Sequence, residues 1–112
     1  MVGKEHTYSN YGGLVAGSNN NVTGASASVS AGSYNTASGL YSSVSGGESN
    51  TASGQASSVS GGQLNTASSD YSSVSGGADN TASGWHSSVS GGANRAASSS
   101  NTWAAGSLSE PN

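Results

Sequence analysis

Twenty-nine serines and two histidines, His6 and His86, are the first residues whose chemistry must be weighed. A Ser–His pair would make a nucleophile and its base, but it needs an oriented base and an oxyanion site in a concave pocket. His86 falls at the most variable place of a repeat, where other copies carry Ser26, Ala56 and Tyr71. No catalytic residue is predicted, and the chain reads as a non-enzyme. Glu48, Asp70 and Asp79 could suggest calcium, and Gly76-Gly77-Ala78-Asp79-Asn80 could be read as a calcium-binding turn of a β-roll repeat. The places equivalent to Asp79 hold Ser49, Leu64 and Asn94, whereas Ca²⁺ takes six or more oxygens. These acids read as solvated turn charges, and no metal is expected. Gly46-Gly47 and its copies read as turn glycines rather than a phosphate loop, because nothing places a helix N-terminus after them. Cysteine is absent, which removes thiolate and disulfide chemistry. No cofactor is expected.

Composition narrows the frame that must hold these residues. Ser, Gly, Ala, Asn and Thr fill 80 of 112 positions, and Val with Leu only 12. That is too little for the large core of a compact enzyme. Low hydrophobicity often signals disorder, yet charge and proline are nearly missing too, with Pro111 alone near the end. The choice is a flexible linker or a repetitive fibrous fold. Lys4 and Arg95 are the only cations besides histidine, so nucleic acid is not an expected partner. No apolar run approaches a membrane span, and no apolar core follows Met1-Val2-Gly3-Lys4 as in a signal peptide.

A tandem repeat decides the architecture. Ser42-Ser43-Val44-Ser45-Gly46-Gly47 returns from Ser57, Ser72 and Ser87, at every fifteenth place. Asparagine recurs as Asn20, Asn35, Asn50, Asn65 and Asn80, and Arg95 stands in the last full copy. Glycine recurs as Gly17, Gly32, Gly47, Gly62, Gly77 and Gly92. The organisation is an N-terminal half-coil or cap over 1–11, six 15-residue repeats over 12–101, and a C-terminal cap or transition segment over 102–112. Each copy holds two polar–apolar–polar triplets, Ser43-Val44-Ser45 and Thr51-Ala52-Ser53 in one case. Each triplet reads as a very short strand, and the Gly and polar residues between them as turns. Gly is expected to supply positive φ there, with Asn tolerating the same region.

Strand, turn, strand, turn is one coil of a parallel β-solenoid, an all-β fold whose coils stack about 4.8 Å apart. Val29, Val44, Val59, Val74 and Val89 form one inward column, and Ala37, Ala52, Ala67 and Ala82 the opposing one. The Asn column is expected to stack as an amide ladder, side chain on side chain. One Val and one Ala per coil is a thin core against the entropy of ordering the whole coil, so self-association is expected. Trp103 breaks the repeat and is expected to cap the open end, as Tyr8 and Tyr11 would at the start.

Ser58-Val59-Ser60-Gly61, the return Ala52-Ser53-Gly54, and especially Gly13-Leu14-Val15-Ala16-Gly17 with Val22-Thr23-Gly24 carry a resemblance. Residues 12–101 resemble the YadA-like head of trimeric autotransporter adhesins. The resemblance implies a left-handed β-roll, a homotrimer, an extracellular place on a bacterial surface or phage fibre, and attachment as the task. Two departures stand out: the family coil is shorter by one residue, and its second strand face is apolar where this chain has Ser.

The turns carry Tyr34, Tyr41, Tyr71 and Trp85, candidate contact points for a host surface protein or glycan. Two other functions compete with adhesion. Stacked Thr51-x-Ser53 copies form a hydroxyl array of the kind ice binding uses, although Ser lacks the fixed χ1 of Thr. Open strand edges at the rod's ends invite end-to-end filaments. Asn21-Val22-Thr23 is the N-glycosylation sequon. Copies this alike predict an array drawn from a longer protein.

Overall fold

The computed structural model describes residues 2–9, 13–105 and, as backbone, 108–110. It is an all-β parallel solenoid of about seven coils, with no helix among the described residues. The rod measures 39 × 21 × 12 Å between Cα extremes.

One sheet contains nine strands: β1 (Val2–Lys4), β3 (Leu14–Ser18), β5 (Ser28–Val29), β7 (Ser43–Val44), β9 (Ser58–Val59), β11 (Ser73–Val74), β13 (Ser88–Gly91), β15 (Trp103–Ala105) and β16 (Leu108–Glu110). The facing sheet contains seven: β2 (Thr7–Tyr8), β4 (Asn21–Val22), β6 (Thr36–Ala37), β8 (Thr51–Ala52), β10 (Thr66–Ala67), β12 (Thr81–Ala82) and β14 (Ala96–Ala97). Successive coils pair in parallel, with Val44 opposite Val59 and Ala52 opposite Ala67. The alternation within each triplet buries the middle residue. Val29, Val44, Val59, Val74 and Val89 meet Ala37, Ala52, Ala67 and Ala82 in a single core. Val15, Val22, Ala27, Ala97 and Ala104 extend that core. A further inward column, Ser42, Ser57, Ser72 and Ser87, lines one end of each coil.

The period is not uniform. Val2 pairs with Ala16, Thr7 with Asn21 and Leu14 with Ser28, so the first coil is one residue shorter than the rest. From the bridge Ser18–Ser33 onward the longer offset holds. The extra residue enters between the core valine and the turn glycine, as Val15-Ala16-Gly17 against Val29-Ser30-Ala31-Gly32. It shortens a five-residue strand to two residues followed by a single bridge. A fixed period therefore misplaces Val15, which the pairing puts directly on Val29.

The asparagines do not stack amide on amide. Asn35 N–H donates to Asn20 Oδ1 at 2.9 Å, Asn50 N–H to Asn35 Oδ1 at 2.9 Å, and Asn65 N–H to Asn50 Oδ1 at 2.9 Å. Each Nδ2 donates twice, as Asn50 does to Gly46 O at 3.0 Å and Gly62 O at 2.9 Å. The column thus runs side chain to backbone. The reason is burial: an amide in the dry interior must satisfy both its donors, and the coil carbonyls are within reach. Asn20, Asn35, Asn50, Asn65 and Asn80 are essentially inaccessible to solvent.

Nor are these asparagines the residues at positive φ. Gly17, Gly32, Gly47, Gly62, Gly77 and Gly92 are, and so are the variable turn residues Tyr34, Leu64, Tyr41, Ala56, Tyr71 and His86. For the variable turn residues the cause is a flipped peptide. Most N–H groups point to the following coil, as Ser43 N–H does to Ser57 O. At the turn tips the sense reverses: Ala56 N–H donates back to Leu40 O at 2.7 Å, and Leu64 N–H to Glu48 O at 3.0 Å. Reversing one peptide requires a left-handed residue after it.

The ends also differ from expectation. Trp103 does not close the core. It stands on β15 in register with Ser88, is 38% exposed, and its indole N–H reaches Ser90 Oγ. The parallel stack therefore continues through 103–105, and the antiparallel strand β16 covers its edge. Tyr8 does cover the core at the other end, in register with Val22 and accepting Gly13 N–H through its hydroxyl. Tyr11 and Pro111 lie outside the described residues.

Two adjacent glycines separate sharply. At Gly62 φ is +88°, and an added Cβ would sit 2.1 Å from Gly77 O. At Gly61 an added Cβ meets nothing within 4 Å. Gly62→Ala should destabilise by about 2 kcal/mol or more, and Gly61→Ala by less than about 0.5 kcal/mol, in chemical denaturation. Leu64→Asn, which suits the left-handed position better, should stabilise by up to about 1 kcal/mol in the same assay.

Candidate functional site

The chemically distinctive side chains lie along the two long edges of the rod, at the turn tips. The first edge is built by the four-residue turn that leaves each Thr–Ala strand. In Gly54-Gln55-Ala56-Ser57, Ser57 N–H closes the turn on Gly54 O at 3.2 Å, and Ala56 takes the left-handed place. The tip is tied to its neighbours by the flipped peptide: Tyr71 N–H donates to Gln55 O at 2.8 Å and His86 N–H to Asp70 O at 3.1 Å. A loop normally drifts, but these tips are fixed at coil spacing by backbone bonds. Their side chains become two parallel columns, Leu40, Gln55, Asp70 and Trp85 beside Tyr41, Ala56, Tyr71 and His86.

Within those columns the rings touch. Tyr71 and His86 stack with centroids 4.8 Å apart, matching the rise of one coil. Trp85 meets His86 edge-on at 4.0 Å. Tyr41, Tyr71 and Trp85 remain about half exposed. The structure thus gathers three of the four aromatic contact candidates on one edge, and separates Tyr34. Tyr34 sits on the opposite edge with Leu64, at the turn that precedes the Asn column. His86 joins the cluster although its type suggested acid–base chemistry; the available signal was its place one full repeat after Tyr71.

The polar side chains on these edges bond along the rod. Asp70 Oδ1 accepts Gln55 N–H at 2.9 Å, and Gln63 Nε2 donates to Glu48 Oε1 at 2.9 Å. Among the described residues, no group of three or more His, Cys, Asp or Glu could hold a metal ion. The broad faces carry small hydroxyls. Thr36, Thr51, Thr66 and Thr81 pair in register and are half-buried, with Ser38, Ser53, Ser68 and Ser83 exposed beside them. On the other sheet Ser43, Ser58, Ser73 and Ser88 are half-buried and Ser45, Ser60, Ser75 and Ser90 exposed. The sequon falls on β4, with Val22 in the core and Asn21 Oδ1 buried.

No protein-family model matches this chain, and no curated protein matches it. No helix among the described residues is long and apolar enough to cross a membrane.

The edges hold their geometry only while the interior ladder is intact. Asn50→Ala removes the acceptor of Asn65 N–H and the donors to Gly46 O and Gly62 O. A loss of about 3 kcal/mol or more is expected from the unfolding midpoint. Asn50→Asp should behave differently with pH. Its carboxylate would face two carbonyl oxygens, so the native state favours the protonated acid and raises the group above its unfolded value. Stability should therefore be greatest in acid and fall as pH rises through the carboxyl titration.

Proposed function

We propose that this chain is a structural and adhesive module: a rigid head or stalk segment of a bacterial surface adhesin of the YadA-like type, or of a phage fibre. It works outside the cell, three copies side by side. The observation that carries the reading is the division of labour along each coil. Backbone, core and ladder repeat with almost no variation, while the side chains that vary sit at rigidly held tips. Such a scaffold extends indefinitely and presents contact residues at a fixed pitch. The shorter first coil, with Leu14-Val15-Ala16-Gly17, supports the likeness to the family's coil length. The thin core of Val and Ala offsets little of the entropy of ordering each coil, which favours self-association over one of the Ser/Thr faces.

The Tyr71–Trp85–His86 cluster is the contact we assign to a host surface protein or glycan. Its rings are fixed by one another, so little side-chain entropy is lost on binding. Ice binding is the second reading, supported by the in-register Thr36–Thr51–Thr66–Thr81 column. Assembly into filaments is a third, supported by the terminal position of β14 in its sheet.

Light scattering on a sizing column should return three times the mass of one chain. A monomer that is β by circular dichroism would remove the trimer, and thermal hysteresis in that sample would favour ice binding. Polydisperse fibres would favour the filament. Beads coated with Tyr71→Ala or Trp85→Ala protein should attach to cells at least about fivefold less than wild type, with melting changed by less than about 0.5 kcal/mol. Unchanged attachment would take the contact away from this edge.

A further inference from the structure

The ladder's N-terminal rung is not an asparagine. His6 Nδ1 accepts Asn20 N–H at 3.2 Å, the bond that Asn20 Oδ1 makes to the next rung. His6 Nε2 lies 2.8 Å from Val2 O, the counterpart of Asn20 Nδ2 donating to Ala16 O, also four residues back. The surroundings repeat as well. Gly3, at φ +112°, leaves room for the ring, because a Cβ there would stand 2.8 Å from Nε2. Gly17 serves Asn20 in the same way, again three residues earlier and 2.8 Å from Nδ2. The shorter first coil is what brings His6 into line with Asn20.

We propose that His6 is a proton-sensitive terminal rung, and that acid releases the first coil, residues 2–9, from the solenoid. Asparagine and histidine differ in one respect at this place: the amide cannot be protonated near neutrality, and the imidazole can. The two bonds require neutral imidazole with its hydrogen on Nε2, since Nδ1 must accept. A second proton goes to Nδ1 and sets two N–H groups against each other. The Asn20 donor is then left without a partner.

Among the described residues, few charges near the ring could offset that loss. Lys4 and Glu5 lie on its own turn and are exposed, and the Tyr8 hydroxyl is engaged with Gly13 N–H. The adjoining coil, residues 13–22, has no ionisable side chain. The first coil is otherwise held by backbone pairing to β3 and β4 and by Tyr8 on the core, while all of β1 is exposed. Its release would uncover Val15 and Val22, the apolar end of the core.

Amide exchange of the whole chain by NMR tests this against an internal reference. Asn20 and Asn35 N–H groups have equivalent acceptors, one a histidine and one an amide. Between about pH 7.5 and pH 5.5, Asn20 protection should fall about tenfold relative to Asn35. His6→Asn should remove that difference while keeping the coil docked, and His6→Ala should give low Asn20 protection at both pH values. The ring ¹⁵N shifts at about pH 7.5 should report hydrogen on Nε2. Asn20 protection that tracks Asn35 in the wild type across this range, or a ring with hydrogen on Nδ1, would overturn the proposal.

Discussion

The buried amide column is the constraint from which the other features follow. It begins at His6, passes through five asparagines and ends where Arg95 N–H donates to Asn80 Oδ1. Each rung satisfies its own coil and the next, so the coils cannot slide or rotate independently. A Val–Ala core this thin would tolerate slippage, because small apolar side chains fit many registers. Directional bonds from a dry amide do not, since a misplaced rung leaves three polar groups unpaired. Register in this rod is therefore set by polar groups and shielded by apolar ones.

The same column explains why one glycine is fixed and its neighbour free. The carbonyl of Gly62 takes both Asn50 Nδ2 and Glu48 N–H, so the backbone of successive coils must come close at that place. A side chain on Gly47 would occupy the space of Asn50 Nδ2, 2.6 Å away. The residue before the turn glycine faces outward: an added Cβ on Gly61 or Gly76 meets nothing within 4 Å. That is why it accepts Ala31 in one coil and Gly in others.

Outside the ladder, the flipped peptides convert variable residues into fixed ones. A tyrosine at left-handed φ carries a local cost of about 1–2 kcal/mol, offset by the bond its N–H makes to the coil before it. The outcome is a surface whose side chains vary from coil to coil while their backbone places do not. Tyr71, Trp85 and His86 owe their contact to that fixed pitch rather than to any packing of their own.

The sequence by itself determined the solenoid, its strand pairs and its Val and Ala columns, because the long repeat and the alternation within each triplet are properties of the chain alone. It also marked the Asn and Gly places, which recur at fixed spacing until Arg95 replaces Asn in the last full copy. It suggested amide stacked on amide, and the real partners are backbone groups, because bonding depends on which carbonyls burial brings near. Repeat position put Tyr34 in one turn and Tyr41, Tyr71 and Trp85 in the other, but not on opposite edges, because that depends on how the chain closes a coil. Nor could a fixed repeat reveal Val15 or His6, whose places depend on a coil one residue shorter. Only the stacked structure decided those, because register is fixed by hydrogen bonds between coils and not by distance along the chain.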